Sequence, residues 1–292
     1  MKQINRIAFL SILITLSIGC KQNREQTNLT TKQNTQDTER IVSLNGTLTE
    51  ILCDLGLQKN IVAVDVTSVY PASIKEKTTN LGHVKNLSME ALLKQKPTQI
   101  VAIENEISDP VKQQLATLQI PIHYYHMEYS VAGTQQLISQ VAEDINSNKA
   151  SALLKKIDQA VVNVQKFKKS PKVMFIYARG AGTLLVAGTH TPTSSMIGLA
   201  GGTNAVTQYE GYKPLTAEAV AQANPDILLL FDSGLQSLNG IEGLKNIPGI
   251  NTTTAVKKEQ IISMDGLLLT GFGPRVGEAI QQLHSKIAPY AE

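Results

Sequence analysis

The chain has no tryptophan, an aromatic content of only 4 %, and two cysteines in 292 residues. The scarcity of aromatics does not by itself choose a ligand class. One of the cysteines, Cys20, belongs to a leader motif, so no disulfide is available. Cys53 is left alone in the apolar stretch Leu48–Gly56 and reads as a small buried hydrophobe. The net charge is +3, but the basic residues are dispersed rather than striped, which excludes a nucleic-acid surface. Enzyme motifs are missing as well: there is no Gly-x-Ser-x-Gly, no His-Glu-x-x-His and no Walker loop. Gly180-Ala181-Gly182 is half a dinucleotide fingerprint, without the third glycine or an acid roughly twenty residues on.

The first residues are a leader. Lys2 and Arg6 precede an apolar run from Ile7 to Ile18, and the segment closes Leu16-Ser17-Ile18-Gly19-Cys20. Charge, length and flanks read as a secretory signal over residues 1–20. The run is shorter than the roughly 20 residues that a membrane span needs. The cysteine after a small residue resembles a bacterial lipobox, with Ser17 where that motif commonly has leucine. The resemblance implies cleavage before Cys20 and lipid on its sulfur and amine, anchoring the chain on the periplasmic or other extracytoplasmic face of a membrane. Residues 21–38 contain one aliphatic side chain and cannot offset chain entropy by burial, so they are expected to be a disordered tether.

From Arg40 onward short apolar strands alternate with helices. Strands are expected at Arg40–Leu44, 61–64, Gln99–Ile103 and Ile122–Met127, and later at Val173–Tyr177, Ile227–Phe231 and Ile261–Met264. Thr47-Leu48-Thr49-Glu50 reads as a capping box opening a helix that ends at Gly56. Further helices are expected after Ser88, near Pro110–Gln119, at Ser194–Leu199, Ala217–Ala223 and 241–245, and from Pro274. Such alternation means an α/β chain with parallel-type sheets. Between Val131 and Phe167 proline is absent and Gly133 is the sole glycine. Ile138, Val141, Ala142 and Ile145 recur there at helical spacing. A long helix crosses this stretch, with Asn146–Asn148 the place where a break would fall. The expected organisation is a first α/β lobe (39–129), a bridging helix (130–169) and a second α/β lobe (170–292).

Two lobes are also suggested by an internal repeat. Leu87-Ser-Met-Glu-Ala-Leu-Leu-Lys-Gln-Lys-Pro97 matches Leu215-Thr-Ala-Glu-Ala-Val-Ala-Gln-Ala-Asn-Pro225 without a gap, and each runs into an apolar strand. Directly after the strand expected at 61–64 lies Asp65-Val-Thr-Ser-Val-Tyr-Pro71, a loop at a strand end, where α/β folds bind ligands. Pro71 restricts Tyr70 to an extended backbone. A phenol placed there is a hydrogen-bonding group, a hard oxygen ligand for ferric iron as in tyrosinate-ligated haem, or an ordinary Tyr-Pro surface turn.

Arg40-Ile-Val-Ser-Leu-Asn-Gly-Thr-Leu-Thr-Glu50, the Tyr70 loop, Leu87-Ser-Met-Glu90, Gly201-Gly-Thr-Asn204 and Met264-Asp-Gly-Leu-Leu-Leu-Thr-Gly-Phe-Gly-Pro-Arg275 together resemble the haem-binding substrate-binding proteins of bacterial ABC importers. These sit in a larger group that also binds cobalamin and ferric siderophores. The resemblance covers residues 39–290. It implies two Rossmann-like lobes joined by a single long helix, with ferric haem (haem b, as transported ligand) in the cleft between them. It implies Tyr70 as axial ligand to haem iron, and an ABC permease dimer with its ATPase as partner. The alternatives are a siderophore or cobalamin receptor, and a chelatase or haem-modifying enzyme on a similar frame.

By this reading Thr67 and Ser68 contribute hydroxyls beside Tyr70. Some relatives place an arginine near the tyrosine in the loop that here reads Phe231-Asp-Ser-Gly234, so Arg179 and Arg275 are the candidates for pairing with the phenolate or a haem propionate. His83 and His190 fall in loops expected near the cleft and are candidates for a second axial or ceiling group, against the reading of ordinary loop histidines. His123 and His126, three apart on a strand, face opposite ways and cannot share one ion. His284 in the final helix reads as surface. Glu90 and Glu218, equivalent in the repeat, read either as helix-stabilising acids or, by the resemblance, as the points that dock on the two permease subunits.

Overall fold

The computed structural model describes residues 39–162, 164 and 166–291; the expected signal, tether and lipidation site at Cys20 lie outside them. Five parallel strands form the first sheet: β1 (Ile41–Ser43), β2 (Ile61–Val64), β3 (Thr79–Asn80), β4 (Gln99–Ile103) and β5 (Ile122–Tyr125). Their order, β3-β2-β1-β4-β5, is a doubly wound half, and its direction reverses between β1 and β4, the place where such sheets bind ligands. The second sheet holds β6 (Lys172–Ala178), β7 (Leu184–Ala187), β8 (Thr203–Asn204), β9 (Tyr212–Pro214), β10 (Ile227–Phe231) and β11 (Ile261–Met264). Its order is β11-β10-β6-β7-β9, with β8 against β6. Here the expectation of parallel pairing needs correction. β7 runs antiparallel to both β6 and β9, because Gly180–Thr183 turns the chain directly back instead of sending it through a crossover helix.

Alternation along the strands explains how the layers stack. In β6, Val173 and Phe175 face one core while Met174, Ile176 and Ala178 face another. In β4, Val101 and Ile103 face the first core, and Ile100 and Ala102 an outer one under the first lobe. Residues two apart share a face, and these strands are apolar on both because both are covered. The inner core is continuous. It joins Ile41, Leu48 and Ile51 of the first lobe to Leu137, Ile138 and Ile157 of the crossing helices and to Phe175, Leu229, Phe272 and Leu283 of the second. Each fully buried aliphatic or aromatic side chain there contributes roughly 1.5–3 kcal/mol. The body from Glu39 onward accordingly clusters as one compact unit.

The expected single bridging helix is two: Val131–Asp144 and Ala150–Val161. The first ends in a Schellman cap. Asn146 adopts φ 52°, its N–H reaches the Glu143 carbonyl at 3.0 Å, and the Ser147 N–H reaches that of Ala142 at 2.8 Å. Asparagine tolerates the left-handed conformation that such a cap requires.

The repeat is also visible in three dimensions. Ser88 caps the helix Met89–Lys94 by accepting from the Ala91 N–H, and Thr216 caps Ala217–Ala223 by accepting from that of Ala219. The two helices lead into β4 and β10, the equivalent strands of the two lobes. His284 is half-buried rather than surface: its ring stacks on Phe167 at 4.4 Å, and Nδ1 lies 3.0 Å from the Ala200 carbonyl.

Candidate functional site

Asp65 ends β2 and organises the loop that carries Tyr70. Its buried carboxylate accepts from the Thr67 hydroxyl at 2.7 Å, the Thr67 N–H at 3.1 Å and the Ser68 hydroxyl at 2.9 Å. Burial pushes this carboxyl above its ordinary value, and those hydrogen bonds pull it back. Ser68 is itself buried and lies 2.7 Å from the Thr49 hydroxyl. Thr67 Oγ1 accepts the Gly46 N–H at 2.8 Å. The two hydroxyls expected to meet ligand are therefore engaged in fixing the loop to the first helix, Gly46–Asp54, Ser68 buried and Thr67 exposed. Tyr70 is left outside, 41 % exposed, with a cis bond to Pro71.

That first helix does not use the expected capping box. Asn45 is the cap, accepting from the Thr47 and Leu48 N–H groups and donating to Glu106 at 2.8 Å. Glu50 is thereby freed to turn inward, where it is 3 % exposed. Its carboxylate takes both arms of the Arg275 guanidinium, Nε and Nη2, at 2.9 Å each. The Arg275 guanidinium carbon also lies 3.6 Å from the centre of the Tyr70 ring, within range of a cation–π contact. Arg275 thus bridges the lobes rather than pairing inside the second one. Burial opposes its charge, but the Glu50 hydrogen bonds and charge hold it above its ordinary value. Burial likewise pushes the Glu50 carboxyl up, against the pull of Arg275.

The strap Gly271–Arg275 delivers this arginine. The Thr47 hydroxyl donates to the Gly271 carbonyl and the Thr134 hydroxyl to that of Phe272 at 2.9 Å. Phe272 is buried and packs on Tyr129 at 5.5 Å. A Cβ on Gly271 would lie 2.4 Å from the Leu267 carbonyl oxygen and 3.2 Å from Thr47 Oγ1. Only glycine lets the strap fold back this tightly on the Leu267 carbonyl while lying against Thr47 of the first helix.

At the other end of the strap, Thr270 lines a cavity of about 290 Å³ together with Tyr177, Leu185, Pro192, Tyr212 and Phe231. Tyr177 and Phe231 stand at the carboxyl ends of β6 and β10, and their rings meet edge-on at 6.1 Å. Burial pushes the phenol of Tyr129 up, with Glu106 and Tyr212 adding to the shift. The cavity wall is apolar and aromatic, and the strap that follows Thr270 carries the cation set over the Tyr70 ring; such a wall suits a large, flat, partly apolar ligand.

Residues 41–267 match the family described as periplasmic binding protein. The chain belongs to that family. Among solved structures, the apo periplasmic haem-binding protein RhuT from Roseiflexus sp. RS-1 is 34 % identical, with a TM-score of 0.83 over 87 % of this chain and 99 % of that one. The uncharacterised ABC transporter substrate-binding lipoprotein YvrC of Bacillus subtilis is 25 % identical over 97 % of this chain and 96 % of its own. A vitamin B12-binding protein of Yersinia pestis is 28 % identical over 69 % of this chain and 72 % of its own.

On this periplasmic binding protein frame the remaining candidates fall into separate places. Arg179 is exposed on the turn after β6, two residues beyond cavity-lining Tyr177, and its guanidinium has no partner among the described residues. His190 is exposed, at φ 56°, with Nδ1 3.4 Å from Glu210. His83 is exposed and uses Nδ1 to accept the Lys85 N–H. Glu90 and Glu218 are exposed in the first turns of their helices. Sequence reasoning missed Glu50, Tyr129, Tyr212 and the strap's anchoring. The available signal was the pair of glycines flanking Phe272, which marks a close backbone approach.

Proposed function

We propose that this chain is the substrate-binding component of a haem ABC importer. In this reading it takes ferric haem b into the cleft and hands it unchanged to an ABC permease dimer with its ATPase, tethered through lipid on Cys20 at the extracytoplasmic face. The observation that carries the reading is the pairing of Tyr70 with Arg275, on the strap that continues from Thr270 of an apolar, aromatic-lined cavity. A phenol needs Fe(III) or a nearby cation to ionise, and tyrosinate is an established haem ligand. Arg275 supplies a cation against the ring face, and the strap links it to the cavity wall. A macrocycle lying on Tyr177, Leu185, Pro192, Tyr212 and Phe231 would bury its apolar faces there. Arg179 stands free at the rim for a propionate. His83 and His190 are the side chains available to approach the iron from elsewhere in the cleft, and Thr67 and Ser68 serve by holding the Tyr70 loop.

The test is an absorption titration of the full-length chain with hemin, and with cyanocobalamin and a ferric siderophore as competitors for the same reading. Stoichiometric hemin binding with a ferric–phenolate charge-transfer band is expected, and Tyr70→Phe should abolish the band and weaken binding at least about tenfold. A Tyr70→Phe chain with unchanged spectrum and affinity, or a chain that binds cobalamin in place of hemin, sinks the proposal.

Glu90 and Glu218 stand one on each lobe, exposed and alike in their capping, and suit a partner with two matching basic points. Glu90→Arg with Glu218→Arg should leave hemin affinity intact and abolish ligand-dependent stimulation of the transporter's ATPase. Normal stimulation by that double variant would reduce both to helix-stabilising acids.

A further inference from the structure

Glu50 is a buried acid that neither the helix it sits on nor the cleft wall requires. An apolar residue at a buried helix position is normally at least as stabilising as an ion pair. Its surroundings suggest what it is for. Both carboxylate oxygens are committed to Arg275 at 2.9 Å, and the pair is well enclosed, with side-chain exposures of 4 % for Glu50 and 14 % for Arg275. The bidentate grip fixes the plane of the guanidinium as well as its position, and that plane lies against the Tyr70 ring, 3.6 Å from its centre. A lysine could not meet two carboxylate oxygens and a ring face at once. The bonds from Thr47 of the first helix and Thr134 of the helix Val131–Asp144 to Gly271 and Phe272 hold the strap that carries the arginine.

Resting on the ferric-haem reading above, we propose that Glu50 is a positioning residue for iron ligation: it locks the Arg275 guanidinium onto Tyr70, and that fixed cation stabilises the phenolate bound to Fe(III). Three residues from two lobes then act as one unit. Glu50 sets the arginine, the arginine sets the charge beside the phenol, and the phenol meets the metal. The cation helps only the state in which negative charge is drawn onto the phenol oxygen. Its effect should therefore favour ferric over ferrous haem and should vanish when the phenol is removed. A merely structural pair that pins the lobes together would do neither.

The experiment is a double-mutant cycle on the full-length chain, with hemin and dithionite-reduced haem as probes and the phenolate band as spectroscopic readout. Glu50→Gln should lower the ratio of ferric to ferrous affinity by about tenfold and shift the charge-transfer band. In a Tyr70→Phe background the same substitution should change neither probe's affinity. Because Glu50→Gln leaves a buried cation unpaired, Glu50→Gln with Arg275→Met is made in parallel; it removes both charges and should show the same loss of ferric preference. An unshifted band and ratio in both variants overturns the proposal, as does an equal loss with and without Tyr70. If the unaltered chain binds hemin with a phenolate band and these variants behave like it, only this inference fails. If the unaltered chain shows no such band, the haem reading fails and this inference falls with it.

Discussion

Gly46 opens the first helix at the point where that helix, the Tyr70 loop and the second lobe meet, and its replacement by alanine is a demanding probe of the site. A Cβ there would lie 2.4 Å from the Thr67 carbonyl oxygen, 2.8 Å from the carbonyl carbon and 3.1 Å from Leu267 Cδ1. Thr67 cannot simply swing away, because its hydroxyl accepts the Gly46 N–H and donates to Asp65. Ordinary carbon–oxygen contact lies at about 3.3–3.6 Å, so two backbones must part by about 1 Å. Overpacking of this kind costs about 1–3 kcal/mol, and alanine's helix propensity returns at most about 1 kcal/mol. A net loss of about 1–2 kcal/mol lowers Tm by about 2–8 °C in a chain of this size. The displaced loop also carries Tyr70 away from Arg275, so hemin affinity should fall together with Tm. Thermal melts followed by circular dichroism and hemin titration measure both, with Gly182→Ala as control, since a Cβ there meets nothing within 4 Å. If Gly46→Ala melts within about 1 °C of the parent and keeps its hemin affinity, the close approach is not what fixes the loop.

The continuous inner core predicts little motion: the radius of gyration from small-angle scattering should change by less than about 1 Å on hemin binding, since hinge closure needs a pliable connection between lobes. A change of several ångströms would mean that the core divides. Cys53 should be a poor nucleophile, because burial, with Asp54 and Glu50 adding negative charge, pushes its thiol up to about 12. In a Cys20→Ala chain, labelling at pH 8 by a disulfide reagent should be about a thousandfold slower folded than unfolded. The folded thiol titrates above its unfolded value, so its stabilising contribution is complete below about pH 8.5 and is lost as pH rises towards 12. Equal labelling rates in buffer and in urea would refute the burial argument.

Local chemistry in the sequence determined seven of the eleven strands among the described residues, since short β-branched runs between turn residues can be little else; the short β3, β8 and β9 and the returning β7 were not foreseen. It also determined the capped helices of the repeat and showed, at Asn146–Asn148, where a break in the bridging helix would fall, although a single helix was expected. Tyr70 was legible for the same reason: a strand end, two hydroxyls and a proline leave its phenol few directions. The family resemblance then joined these pieces into two lobes with a cleft between them. What the sequence could not convey was which polar groups spend themselves on one another. Thr67 and Ser68 look like ligand contacts until folding brings Asp65 and Thr49 to their hydroxyls. Glu50 looks like half of a capping box until Asn45 takes the cap and a residue 225 positions away supplies the cation. The reversal of β7 was hidden because a tight turn and a crossover begin with the same glycines. Contacts between residues far apart in the chain depend on where the backbones finally lie, and only the tertiary structure placed Arg275 against Tyr70.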